Sequence, residues 1–109
     1  MKPHLNIWID HNGMVVLSEW RIQLLEAIAQ TGSISQAAAV MEITFARAWK
    51  KIHEMEEGLG FKLIETQIGG SSGGGATITA KGRTLIQKFR IVSQGLDEEL
   101  AQRFKAVFG

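Results

Sequence analysis

Residues 32–57, GSISQAAAVMEITFARAWKKIHEMEE, restrict the fold more than any other stretch, because they hold two short helices with only a tight turn between them. Gly32 suits the left-handed position that closes a preceding helix. Ser33 or Ser35 can cap a short helix over QAAAVM, whose alanines present a thin surface that lets another helix pack close. After Glu42 and Ile43, Thr44 caps a third helix that runs to about Glu57 and ends at Gly58 and Gly60. On that helix Phe45, Ala48, Trp49, Ile52 and Met55 form one apolar stripe, expected to be core. Arg47, Lys50, Lys51 and Glu54 fall at i, i+3, i+4 and i+7, so they form a second stripe that faces away from it. A basic stripe that starts in the first turn, with a second helix packed across it, has the geometry of a helix offered to a DNA groove. Spacing alone fits an ordinary αα-hairpin with a solvated basic face equally well.

The flanks add detail. LNIWIDHNGMVVL alternates in polarity around Asn12-Gly13, two residues tolerant of positive φ, which predicts a type I′ β-hairpin with strands near 5–10 and 14–17. His4 and His11 lie in or beside it without a third ligand, so no metal site is expected. Ser18 is a helix N-cap with Glu19 in the first turn. Ile22, Leu25, Ile28 and Ala29 then keep helical spacing to about Thr31. Downstream, FKLIETQI and ATITA flank GGSSGGG, and Thr77 and Thr79 alternate with Ile78, which predicts two strands joined by a Gly/Ser loop. Directly after a helix pair such a hairpin is a wing. Backbone amides at Gly70, Ser71, Ser72, Gly73 and Gly74 can then donate to phosphate, and a loop that touches nothing is the competing reading. A nucleotide-binding loop is disfavoured, since the run opens a strand rather than a Gly-Lys-Ser/Thr helix start.

From residue 80 onward a helical rhythm continues through Leu85, Ile86, Phe89, Val92, Leu96, Leu100, Phe104 and Val107. One helix of about 28 residues would be near 42 Å long and would overhang a small body, with Gly95 as a weak point. A second copy of the chain is the natural cover for Leu85, Phe89, Val92, Leu96, Leu100, Phe104 and Val107. Folding back onto the first helix is the rival explanation.

Composition sets outer limits. At 109 residues the chain is one domain, and the absence of cysteine excludes disulfides and thiolate metal sites. Residues 1–10 lack the apolar core of a signal peptide. No apolar run approaches the roughly 20 residues of a membrane span, so no membrane partner and a cytoplasmic location are expected. Net charge is only +1, but residues 44–91 carry eight basic and four acidic side chains, a local excess that suits a polyanion. There is no Gly-x-Ser-x-Gly or His-Glu-x-x-His motif. His53 and Glu57 sit one turn apart, most simply on a solvated helix end. No catalytic residue and no cofactor are expected.

The segments TGSISQAA, Ala48-Trp49, Glu54-Met55, GGSSGGGATIT and KGRTLI, spread over residues 18–87, resemble the N-terminal DNA-binding domain of ModE-type molybdate-responsive transcription regulators. More distantly the chain is similar to the winged-helix domain of LysR-type regulators. The N-terminal hairpin favours the first family, whereas MEEGLGFKLIE sits nearer the second. The resemblance implies a mainly α (α+β) winged helix-turn-helix with an N-terminal β-hairpin (5–17), a helix-turn-helix (18–58), a wing (62–79) and a long C-terminal dimerisation helix (80–108). It implies a transcription regulator that binds palindromic double-stranded DNA as a homodimer. By position, Ser33, Ser35 and Gln36 would meet phosphates, and Thr44, Phe45, Arg47 and Lys50 would lie at the groove end of the recognition helix. Lys51 and Lys81 complete the basic set, and the wing at 69–75 would approach flanking backbone.

The departures are specific. Glu42 stands at the turn position that often holds Gly in the ModE type. Thr44-Phe45-Ala46-Arg47-Ala48-Trp49 replaces Ser-Tyr-Lys-Ser-Ala-Trp, which shifts the basic charge by one residue. Ser71 replaces a wing lysine and Thr66 a nearby arginine, so a different operator and a weaker wing are expected. In the ModE type a molybdate-binding part follows this domain. The expectation here is a regulator without an effector-binding domain, or a fragment of a longer one, and molybdate is not expected to bind this chain directly. The alternative is a winged-helix protein-interaction or dimerisation module without DNA specificity.

Overall fold

The computed structural model describes residues 1–67 and 75–109. Two antiparallel strands, β1 (Trp8–His11) and β2 (Met14–Ser18), lead into helices α1 (Glu19–Thr31), α2 (Ile34–Val40) and α3 (Phe45–Leu59). A second antiparallel pair, β3 (Ile64–Gln67) and β4 (Gly75–Ile78), precedes α4 (Ala80–Ser93) and α5 (Leu96–Phe108). Asn12 and Gly13 both take positive φ, 52° and 80°, as the tight hairpin turn requires. A bulge between Ile9 and Asp10 shifts the register, and pairing begins only at Trp8 rather than near residue 5.

Four helices start the same way. Ser18, Ser33, Thr44 and Thr79 each accept a hydrogen bond on the side-chain oxygen from the amide three residues on, at 3.1, 3.1, 3.1 and 3.0 Å. Each satisfies one of the amides that a helix start leaves free, an effect of about 1 kcal/mol. Ser33 therefore caps α2, and Ser35 lies inside it. Thr79, expected in the second wing strand, is instead the cap of α4, and its hydroxyl donates to the Lys62 carbonyl at 2.7 Å.

The core lies where α1 is enclosed by α2, α3, β2 and β4. Ile22, Leu24, Leu25 and Ile28 of α1 meet Ala37, Ala38, Ala48, Ile52, Met55, Leu63, Ile78 and Val16, all buried. The small alanines of α2 let it lie close to both α1 and α3. Phe89, 2% exposed, also belongs to this core, so it is removed from the surface to which the sequence assigned it. Arg90 ties α4 to α1. Its guanidinium donates from Nη1 to both oxygens of Glu19 (2.8 and 2.7 Å), from Nε to Glu26 Oε2 (3.1 Å) and from Nη2 to Glu26 Oε1. Its hydrogen bonds to Glu26 and then Glu19 raise its pKa above the ordinary arginine value. The fork therefore stays charged at all working pH values.

The single long C-terminal helix of the sequence reading is two helices. Gln94 is extended (φ −60°, ψ 128°) and Gly95 is left-handed (φ 78°, ψ −5°), which turns the chain before α5. Asp97, Glu98 and Glu99 in the first turn of α5 favour a fresh start at that point through the helix dipole. No residue of α5 is buried.

Two turn residues oppose each other in cost. α2 ends with Glu42 N–H donating to Ala39 O and Ile43 N–H to Ala38 O, the paired bonds of a Schellman ending. Glu42 occupies its left-handed position at φ 58°, where a side chain costs about 1–2 kcal/mol. Gly82 lacks the Cβ that would lie 2.8 Å from both the Leu63 carbonyl oxygen and Ile78 Cγ2. Glu42→Gly is expected to raise the denaturant midpoint by about 1 kcal/mol of stability at most, after the entropy of glycine is deducted. Gly82→Ala is expected to lower it by about 1–3 kcal/mol through forced movement of backbone. Equal midpoints for the two variants would contradict both assignments.

Candidate nucleic-acid interface

The outward side of α3 follows from what its inward side buries. Ala48, Ile52 and Met55 point into the core, so Ala46, Lys50 and Glu57 are turned to solvent, with Arg47 on one flank and Phe45 and Trp49 on the other. Phe45 and Trp49 were expected in the core stripe, yet they are 51% and 48% exposed. The buried stripe is narrower than the spacing predicts: β2 and α2, with α1, cover the Ala48–Ile52–Met55 line, and the i and i+4 aromatics fall beyond its edge. His53, one turn further, stacks on Trp49 with ring centroids 3.7 Å apart at 22°. Its Nδ1–H donates to the Trp49 carbonyl at 2.8 Å. Ala46, Trp49 and His53 were not among the predicted interface residues. The i, i+4, i+8 spacing of Phe45, Trp49 and His53 is the sequence feature that sets these three rings on one flank of α3.

The basic residues divide. Arg47 and Lys50 are exposed in the first two turns of α3, and the Arg47 guanidinium sits 5.8 Å over the Trp20 ring of α1. That stacking holds a long side chain near one position before any ligand arrives. Lys51 is half-buried and pairs with Glu54 at 3.4 Å, and Glu54 also faces Arg21 of α1 at 4.0 Å. Lys51 is thus held toward α1, apart from Lys50. Lys81 is exposed in the first turn of α4, with its ammonium 5.4 Å over the Phe61 ring.

The predicted phosphate contacts of α2 are part capping and part free. Ser33 and Thr44 each accept one cap bond on the hydroxyl oxygen, and each keeps its O–H to donate. Ser35 and Gln36 are exposed beside them. Gly70, Ser71, Ser72, Gly73 and Gly74 lie outside the described residues. The paired stem that carries them is described: Ile64 opposes Ile78, and Gln67 opposes Gly75. The stem is tied to both ends of the helix pair. Ala76 N–H donates to the Gly32 carbonyl at 2.8 Å, next to the start of α2. The Glu56 carboxylate, near the end of α3, accepts the Leu63 amide at 2.8 Å and the Ile64 amide at 3.3 Å. These two amides open β3, so α3 and the wing stem are held as one unit.

Comparison with known proteins agrees with this fold. The model of a family described as bacterial regulatory helix-turn-helix proteins, lysR family, matches residues 20–83. The DNA-binding transcriptional dual regulator ModE of Escherichia coli (strain K12) is 43% identical over 74 residues, 68% of this chain and 28% of that protein. The molybdenum transport protein ModE of Azotobacter vinelandii is 34% identical over 104 residues, 93% of this chain and 38% of that protein. The chain thus spans well under half the length of these relatives. Among solved structures, the crystal structure of the CbnR_DBD–DNA complex superposes with a TM-score of 0.62 at 21% identity, over 84% of this chain and 99% of that one.

The Glu56 junction makes its own forecast. Glu56→Ala leaves two partly buried amides without an acceptor and is expected to cost about 1–3 kcal/mol, while Glu56→Gln keeps an oxygen and costs less. Amide hydrogen exchange at Leu63 and Ile64, followed with urea unfolding, should accelerate in the alanine variant more than in the glutamine one. Unchanged exchange in both would show that the carboxylate does not hold the wing.

Proposed function

The chain belongs to the lysR family of bacterial regulatory helix-turn-helix proteins, and we propose that it reads double-stranded DNA as a homodimer on a palindromic operator and so regulates transcription. The observation that carries this reading is the start of α3. Arg47 and Lys50 stand exposed on the side opposite the core, next to the exposed Ser35 and Gln36 of α2. The wing stem is fastened behind them through Glu56. A helix in the major groove meets base edges with its N-terminal residues, and the helix before it crosses the backbone. Arginine is suited to a guanine edge, and lysine to phosphate as a point charge. The Ser33 and Thr44 hydroxyls can still donate a proton to phosphate, and Lys81 and the glycine run would follow the flanking strand. The similarity to ModE proteins supports regulation of transcription, and the operator itself is expected to differ because the α3 residues do.

The homodimer rests on α5. Leu96, Leu100 and Phe104, each half-buried, and exposed Val107 recur along a helix none of whose residues is fully buried within its own chain. Together with exposed Val92 they offer a surface that an identical one can cover. Leu85 is half-buried beside Phe61 and contributes only its outer edge, and Phe89 takes no part.

Binding of a target duplex should weaken steeply as salt rises, because phosphate contacts release counterions. Arg47→Ala is expected to cost about 1–3 kcal/mol on the preferred sequence and to relax preference at one base pair. Lys50→Ala should lower affinity for all sequences alike and reduce the log–log salt slope by about 1. Equal binding by the wild type and both variants would remove α3 from the interface. For the dimer, Leu100→Glu is expected to yield monomers in sedimentation equilibrium and to weaken operator binding by about a hundredfold through lost bivalency. A folded dimer in that variant would rule out α5 as the contact.

A further inference from the structure

We infer that Phe45 and Trp49 form a reader of thymine 5-methyl groups, so that α3 recognises one base pair by apolar contact beside those met by Arg47 and Lys50. The inference rests on the proposal that α3 enters DNA, and it adds a chemical specificity to that reading. The two rings lie one turn apart on the same flank of α3, each about half accessible. Ala46 separates them from Arg47 on the solvent side, and its single methyl lets the helix approach a base edge closely. His53 stacks on Trp49 and holds the Trp49 carbonyl through Nδ1, so the indole is braced from the C-terminal side. The flank is continuous with the basic face: Phe45 follows the cap Thr44, and Lys50 follows Trp49. A patch that is aromatic, braced and bordered by Arg47 and Lys50 fits a surface that is apolar at its centre and anionic around it. In the major groove the thymine methyl is the apolar group so placed, and aromatic or small aliphatic side chains are its partners.

The test removes only that methyl. A duplex recovered by the full chain from a random pool is remade with single deoxythymidines replaced by deoxyuridine. Affinities are then measured for the wild type, Phe45→Ala, Trp49→Ala and Trp49→Phe. For the wild type, at least one replacement should weaken binding about fourfold, the factor for one buried methyl group. The same replacement should have little effect on Trp49→Ala or on Phe45→Ala, and Trp49→Phe should restore part of the difference. Both side chains are exposed, so unfolding midpoints should stay near the wild-type value. Wild-type binding that ignores every replacement would overturn the inference and leave the DNA-binding reading intact, as would an equal loss in both alanine variants. Absence of any duplex binding would overturn both.

Discussion

The structure turns on the backbone of Leu63. Its amide ends on the Glu56 carboxylate near the close of α3, and its carbonyl accepts the Thr79 amide at 2.9 Å. That same carbonyl oxygen is the atom that a Cβ on Gly82 would strike. The backbone of one residue thus joins α3, the wing stem and the first turn of α4, and its side chain is fully buried. Backbone groups buried without partners cost as much as lost hydrogen bonds, so these three elements are strongly held in one arrangement. The motif Lys81-Gly82-Arg83 after the wing then has a physical meaning. The glycine is the residue that lets α4 start against β3.

Much of this was legible in local chemistry. The hairpin follows from Asn12-Gly13, and cap positions from Ser18, Ser33 (with Ser35 as the alternative) and Thr44, whereas Thr79 reads as a strand residue and is instead the cap of α4, its hydroxyl accepting the Gly82 amide. Glycine at 32 marks the end of α1 by its left-handed φ of 71°. Glu42 does the same work for α2 against its own preference, and no propensity rule points to a glutamate there.

What was not legible depends on tertiary cover rather than on pattern. Phe45 and Trp49 have the spacing of core residues, but the elements packed on α3, chiefly β2 and α2, leave them about half exposed. Phe89 has the spacing of a dimer seam, but α4 is drawn against α1 by Arg90 with Glu19 and Glu26, which turns that ring inward. The periodicity from Leu85 to Val107 survives the break at Gln94 and Gly95, because a helix that stops and restarts close by can keep apolar residues at similar intervals. Lys51 shares a stripe with Lys50 on paper and is taken by Glu54 in the fold. Each miss reflects a choice between two faces that sequence alone presents as equal.

The resulting surface has two parts with different chemistry. One is the start of α3, basic on one flank and aromatic on the other, with the α2 turn and the wing stem to either side. The other is α5, whose apolar residues are half-buried or exposed within the chain. The proposed dimer would use both, since a single helix in one groove contacts few bases and a second copy doubles the sequence that is read. The most direct measurement is selection of bound sequences from a random duplex pool by the full chain at two salt concentrations. The account predicts a recovered palindrome, with half-sites about one helical turn apart and affinity that falls steeply as salt rises. Recovery of no preferred sequence, with only weak salt-sensitive adhesion, would contradict it.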